Sequence, residues 1–354
     1  MTQPYIFVVA FLLLTGCATP TTQRIAISEG ATKAEAAKQM ELAVQDMVDE
    51  QKRITRIYRT LATKSNALCG DYVGPTVGFF AMSKPKGDTG PIFEKMYGIR
   101  DQRTVLFVLE GTPAESVGMK PGDVLKTING VATTDTQKLE ELSDSVSPTA
   151  PIKYEIERSG APVTLIVQPD RACRYPIQLD QQQIINAFAD GKRILITRGM
   201  VNFAKDDNEL ALVISHELAH NMMKHIDARK VNMGVGVLAD LAVVLLSRGQ
   251  VRNSNFGQLG AGAYSQEFEA EADYVGLYIM ANAGLPIADA PKFWRRMAAA
   301  NPANIKTSHT ASHPSTASRM VALEETVREI RAKIEKGEAL VPNMNDGKFT
   351  APTK

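Results

Sequence analysis

The chain has 354 residues, enough for two domains of ordinary size with cores of their own. Lys and Arg number 40 against 39 Asp and Glu, a net charge of +1. With no basic excess and no basic stripe interleaved with aromatics, a nucleic-acid partner is excluded.

Residues 6–14 form an apolar run too short to cross a bilayer as a stable helix, and residues 1–16 read as a signal peptide. The run ends in Leu14-Thr15-Gly16-Cys17, which resembles a bacterial lipobox. That resemblance implies a lipidated Cys17 as the mature N-terminus, and Ala18 after it fits an outer-membrane lipoprotein facing the periplasm. Residues 17–34 are polar and small, a tether from the lipid. Export leaves Cys69 and Cys173 as a pair in an oxidising compartment. They flank one segment, so a disulfide between them would staple the two ends of an insertion.

From residue 35 to about 64 the pattern is helical. Met40, Val44, Met47, Gln51, Ile54, Tyr58 and Leu61 follow one another at spacings of three and four, a narrow apolar stripe on a charged helix. The stripe is too short for a coiled coil and carries a Gln in its seam, so packing onto the main domain is expected.

Residues 73–170 have a different texture, short β-like runs split by Gly and Pro. Strands are expected at 104–109, 153–158 and 163–167, with Ser159-Gly160 as the turn between the last two. Between them, Gly111-Thr112-Pro113-Ala114-Glu115-Ser116-Val117-Gly118-Met119-Lys120-Pro121-Gly122-Asp123 leads to Ile128-Asn129-Gly130. This resembles a PDZ domain. The resemblance implies that Gly78, Phe79 and Phe80, with Val77 before them, form the loop whose backbone N–H groups hold a peptide's terminal carboxylate, while the peptide adds as a strand to the sheet edge. A PDZ unit that only spaces or gates its neighbour is the other reading.

Residues 192–197 read as a strand. After it, His216-Glu217-Leu218-Ala219-His220 lies in an apolar helical run that Asp206 and Glu209 would cap. Two histidines four apart share one helix face and can reach one metal ion, with Glu217 beside them to take a proton from water. Residues 231–246 are almost wholly apolar around Asp240, a buried or membrane-surface helix rather than a span. Residues 249–262 read as a mobile loop.

A catalytic zinc takes three protein ligands and keeps one position for water. Met223 and Ile226 stand where the metzincin extension needs Gly and His, so that class is excluded. His225 misses the spacing by one and reads as a polar or supporting residue. The acidic helix Glu267-Phe268-Glu269-Ala270-Glu271-Ala272-Asp273 is the next source of a ligand, but periodicity leaves Glu267 with Glu271 and Glu269 with Asp273 as equal pairs.

Several stretches carry a resemblance that separates them: Asn186-Ala187-Phe188-Ala189, Asn208-Glu209-Leu210-Ala211, His216 to His220, Glu269 to Asp273, and Ser312-His313-Pro314 with Arg319 following. They resemble the HtpX and CAAX-prenyl-protease family of gluzincins, and more closely its periplasmic BepA-like members. The resemblance implies one zinc ion per chain on His216, His220 and Glu269, with Asp273 supporting a ligand histidine. It also implies that His313 faces the metal as a donor or reversible extra ligand, with His309 a neighbour and Arg319 a second oxyanion donor.

The expectation is therefore an α+β chain: a mainly helical metallopeptidase domain with a small sheet over residues 174–340, begun by a helix at 35–68 and interrupted by a β-rich PDZ domain at 73–170. A disordered tail is expected at 341–354. The expected function is zinc-dependent cleavage of unfolded or misassembled envelope proteins, with substrate pairing along residues 192–197. The partners would be polypeptides, the membrane through the lipid, and envelope assembly machinery. A non-proteolytic PDZ adaptor or chaperone with a latent zinc site is the rival.

Overall fold

The computed structural model describes residue 22 and residues 25–231, 265–300 and 317–344. The signal peptide, Cys17, the apolar run beyond Val231, the loop at 249–262, and His309 to Pro314 lie outside the described residues.

Helix α1 (Glu29–Lys64) starts earlier than expected, because Ser28 accepts a hydrogen bond from the Ala31 amide at 3.2 Å and caps it. Its buried stripe includes Val44, Gln51, Ile54 and Leu61, with Val48 and Ile57 added. The helix serves two cores. Val44 and Val48 pack with Phe93, Leu106 and Phe107, whereas Ile54, Ile57 and Leu61 join the core around Leu210 and Ile214.

The inserted segment runs through β1 (Val73–Thr76), β2 (Phe79–Met82), α2 (Gly90–Tyr97), β3 (Thr104–Val108), α3 (Pro113–Ser116), β4 (Val124–Ile128), β5 (Val131–Ala132), α4 (Thr136–Ser145), β6 (Ile152–Arg158), β7 (Ala161–Val167) and β8 (Asp170–Cys173). Strands β2-β3-β4-β6-β7 form one antiparallel sheet in that order, with β5 on β4. On β6, Ile152, Tyr154 and Ile156 point into the core while Lys153 is exposed, the period of a half-buried strand. Ser159 and Gly160 both have positive φ, 51° and 82°, the twist a two-residue hairpin needs. Apart from this sheet, β1 pairs with β8, Val73 opposite Cys173, so the chain leaves and returns side by side.

The second part begins with β9 (Ile177–Asp180), β10 (Ala187–Ala189) and β11 (Ile194–Thr197), followed by α5 (Arg198–Phe203), α6 (Asp207–Met222), α7 (Ser265–Asn282), α8 (Ala290–Ala300) and α9 (Ala317–Glu335). The sheet order is β10-β11-β9. This corrects the expected substrate strand: β11 has partners on both sides, so no peptide can add to it. On the outer edge of β9, Gln51 of α1 donates to the Ile177 carbonyl at 3.3 Å and accepts from the Leu179 amide at 2.8 Å. The polar residue in the α1 seam thus takes the place of a strand. That leaves β10, which lies along α6, as the open edge among the described residues.

Asp206 caps α6 by accepting from the Glu209 amide at 2.9 Å, and Glu209 accepts from the Lys205 amide at 2.7 Å. From Leu210 to Met222 every residue of α6 is buried, so this is a central helix with no solvent face. The C-terminal segment is held at its start rather than disordered from Val341. Lys333 bonds the Val341 carbonyl and the Asn343 side chain, and Asn343 N–H donates to the Tyr274 hydroxyl at 2.9 Å. At a coarse level the chain is α+β, and no helix among the described residues is long and apolar enough to cross a membrane.

Candidate metal centre

His216 and His220 sit one turn apart on α6, both buried, with their Nε2 atoms 3.1 Å apart. Helix α7 brings Glu269 to them: its carboxylate oxygens lie 3.4 Å from His216 Nε2 and 3.3 Å from His220 Nε2. A tetrahedral zinc with bonds of about 2.0–2.1 Å requires its ligand atoms to be roughly 3.3–3.4 Å apart. Two neutral imidazole nitrogens and a carboxylate at these separations fit that ion. Among the described residues this trio is the cluster able to hold a metal.

The close approach of α7 depends on Gly276. A Cβ there would lie 3.3 Å from the His216 amide nitrogen and 3.4 Å from its Cα, so a side chain would push on the α6 backbone. With the helices this near, Asp273 reaches His216 Nδ1 at 3.0 Å. Arg319, buried on α9, makes a two-pronged contact with Asp273 through Nε and Nη2 at 2.8 and 2.9 Å, and its Nη1 lies 3.1 Å from Glu269. All three guanidinium nitrogens therefore face the carboxylates that hold the site, a placement different from the expected oxyanion donor.

Burial works against a charged His216, but hydrogen bonds to Asp273 and Glu269 outweigh it and push its pKa up to about 10. For Asp273 burial raises the pKa, yet the charge of Arg319 and the contact with His216 leave it below the usual carboxylate range. The pocket is therefore built to hold positive charge between its acids. Glu217 is buried beside His216 on the same helix.

Residues 161–327 match the family model for Peptidase family M48. The mitochondrial metalloendopeptidase OMA1 of Schizosaccharomyces pombe is 34% identical over 157 residues, which cover 42% of this chain and 46% of that protein. OMA1 of Saccharomyces cerevisiae is 30% identical over 116 residues, 32% of this chain and 33% of that one. A Vibrio cholerae protein named "Putative beta-barrel assembly-enhancing protease" is 28% identical over 127 residues, 32% of this chain and 26% of its own length. The chain thus spans less than half the length of these curated relatives. Solved structures similar to it include the HtrA-type protease AlgW with a decapeptide and the HtrA3 PDZ domain with a phage-derived ligand, 21% and 17% identical over 28% of the chain. Their TM-scores, 0.23 each, are too low to carry an argument.

The M48 stretch contains His216, Glu217, His220, Glu269, Asp273 and Arg319, and the structure brings the ligand trio, Asp273 and Arg319 into one connected cluster. Sequence reasoning passed over Trp294, the one tryptophan of the chain, whose ring centre lies 5.0 Å from that of His216 and under the Arg319 guanidinium. Its uniqueness was the signal. Gly276 gave none.

Ahead of the M48 stretch, Gly78 leads into Phe79 and Phe80 at the start of β2, one of the two edges of the larger sheet. Gly78 has φ +91° and a Cβ there would fall 2.4 Å from the Thr112 side chain, so only glycine fits. These residues line a cavity of about 350 Å³ together with Arg59 and Tyr58 of α1 and Ser143 of α4. Arg59 contacts Asp170 through Nη2, while its Nε is buried without a hydrogen-bond partner. Cys69 and Cys173 are joined in a disulfide with Cα atoms 5.6 Å apart.

Proposed function

We propose that the chain is a zinc-dependent metalloendopeptidase of the bacterial cell envelope, tethered through Cys17 to the outer membrane on its periplasmic face. The observation that carries the reading is the convergence of His216, His220 and Glu269 at tetrahedral ligand spacing, with Glu217 on the same helix, inside the M48 stretch. Bound there, zinc would acidify a water molecule and polarise the scissile carbonyl. Glu217 takes the proton and returns it to the leaving amine. Asp273 fixes the ring of His216, and Arg319 holds Asp273 and Glu269 in place. His313, by the family resemblance, supplies a donor or an exchangeable ligand at the metal. Substrate lies extended along the open edge of β10, pairing through its backbone, which suits unfolded or misassembled envelope proteins.

The segment at 73–170 is a PDZ domain whose Gly78-Phe79-Phe80 loop takes substrate C-termini. Arg59, which lines the adjoining cavity, places a positive charge near that loop, with Nη2 paired to Asp170. Zinc content and cleavage of an unfolded protein by Glu217→Gln test the enzyme. Zinc retained with activity down by about 10²–10⁴-fold is expected. Unchanged proteolysis would sink the reading, and a wild-type chain that binds zinc but cleaves nothing would favour an adaptor. C-terminal amidation of the substrate should slow cleavage, and equal rates would remove the PDZ role.

A further inference from the structure

We infer that His225 and Glu271 form a second orienting arm of the metal site, fixing His220 as Asp273 fixes His216. The inference rests on the zinc-site reading above. His225 is buried, its Nδ1 lies 2.9 Å from His220 Nδ1, and its Nε2 lies 2.8 Å from a Glu271 carboxylate oxygen. The ring stacks on Phe268, centres 4.7 Å apart and planes 17° from parallel. Phe268 and Glu271 both belong to α7, so the helix that brings the ligand Glu269 also sets this imidazole in plane and in rotation.

The hydrogen-bond roles along the arm follow from one requirement. His220 presents Nε2 to the ligand cluster, so a metal there takes that lone pair and the ring proton must sit on Nδ1. That N–H donates to Nδ1 of His225, which accepts only if its own proton is on Nε2. The Nε2–H in turn donates to Glu271. Each contact then has one donor and one acceptor, and a carboxylate terminates the chain, as Asp273 does directly on His216. The same geometry excludes His225 as a ligand, because it meets His220 on the nitrogen away from the metal.

A straight helix would not build this arm, since residues five apart point to different faces. Helix α6 ends at Met222, and Lys224 takes φ +54°, a left-handed conformation that few non-glycine residues adopt. The turn it makes returns His225 onto His220. Three acids of α7 then share the work. Glu269 faces the metal position, Asp273 holds one ligand histidine, and Glu271 holds the other through His225.

Zinc affinity of the full chain, measured by competition with a chromogenic chelator, tests the arm without using activity. His225→Phe keeps the ring against Phe268 but removes the acceptor, and should bind zinc about 10–100-fold more weakly. His225→Asn puts an amide oxygen where Nδ1 stood and should restore most of the loss. Glu271→Ala, at a half-exposed side chain, should weaken binding by a smaller, measurable factor. Unfolding midpoints in excess chelator should be the same for all four proteins. Wild-type affinity in His225→Phe, an equal loss in His225→Asn, or no change in Glu271→Ala would each overturn the arm. A wild-type chain that binds no zinc would instead overturn the metal site itself.

Discussion

His216 shows how much chemistry one side chain collects from its neighbours. Its pKa of about 10 lies above the ordinary 6.5, so with zinc chelated away the ring is protonated at neutral pH. The stability this charge gives the chelated protein is fully present below about 6.5 and is lost as pH rises through about 10. Zinc must displace that proton, so its affinity should climb by about tenfold per pH unit between roughly 7 and 9. Chelator competition across that range measures it, with Trp294 fluorescence as an independent signal. A flat profile would mean that His216 carries no proton. At this scale the sequence was readable where spacing follows one helix: His216, Glu217 and His220. Glu269 and Asp273 were separable from Glu267 and Glu271 only through a family resemblance, because period alone puts both pairs on equivalent flanks. Glu271 then proved to face His225, a contact created by the left-handed turn at Lys224, which no periodic pattern encodes.

Between elements, the governing contact is that of α6 with α7. Gly276 lets the two backbones meet at His216, and both distances from Glu269 to the histidines depend on that approach. Gly276→Val should part the helices, costing about 1–3 kcal/mol of stability by overpacking and weakening zinc binding as Glu269 moves off. Denaturant unfolding and zinc titration of the variant check both effects, and an unaltered affinity would mean that α7 is positioned by other contacts. The strand at 194–197 was legible from its β-branched run, but its place in the middle of the sheet was not. Pairing order is set by contacts far apart in sequence, and Gln51, more than a hundred residues from β9, closes one edge. Only then does β10 emerge as the open edge of the three-stranded sheet.

For the molecule as a whole, α1 is the member both cores share, with Val44 and Val48 in one and Ile54 and Leu61 in the other. The sequence stripe gave the helix and its buried face, but one face cannot tell how many bodies it covers. The disulfide ties the end of α1 to β8 across a sequence separation of 104 residues. Closing so long a loop restricts the unfolded chain, so Cys69→Ser or reduction should cost about 2–5 kcal/mol. Urea unfolding with and without reductant measures this, and coincident curves would show that β1–β8 pairing alone secures the insertion.

That pairing has a consequence for how such a chain can be assembled and taken apart. Since Val73 lies opposite Cys173, the whole β-rich unit hangs from a single doorway, and a short peptide bridge at that doorway would span the gap it leaves. A chain with that bridge in place of residues 74–172 is expected to keep the His216, His220 and Glu269 cluster, which lies outside the unit. The cut has a second place, however. Val44 and Val48 of α1 are upholstered for the guest, so a host trimmed to stand by itself must also give up the helix ahead of Glu50, whose carboxylate pairs with Arg198 of α5.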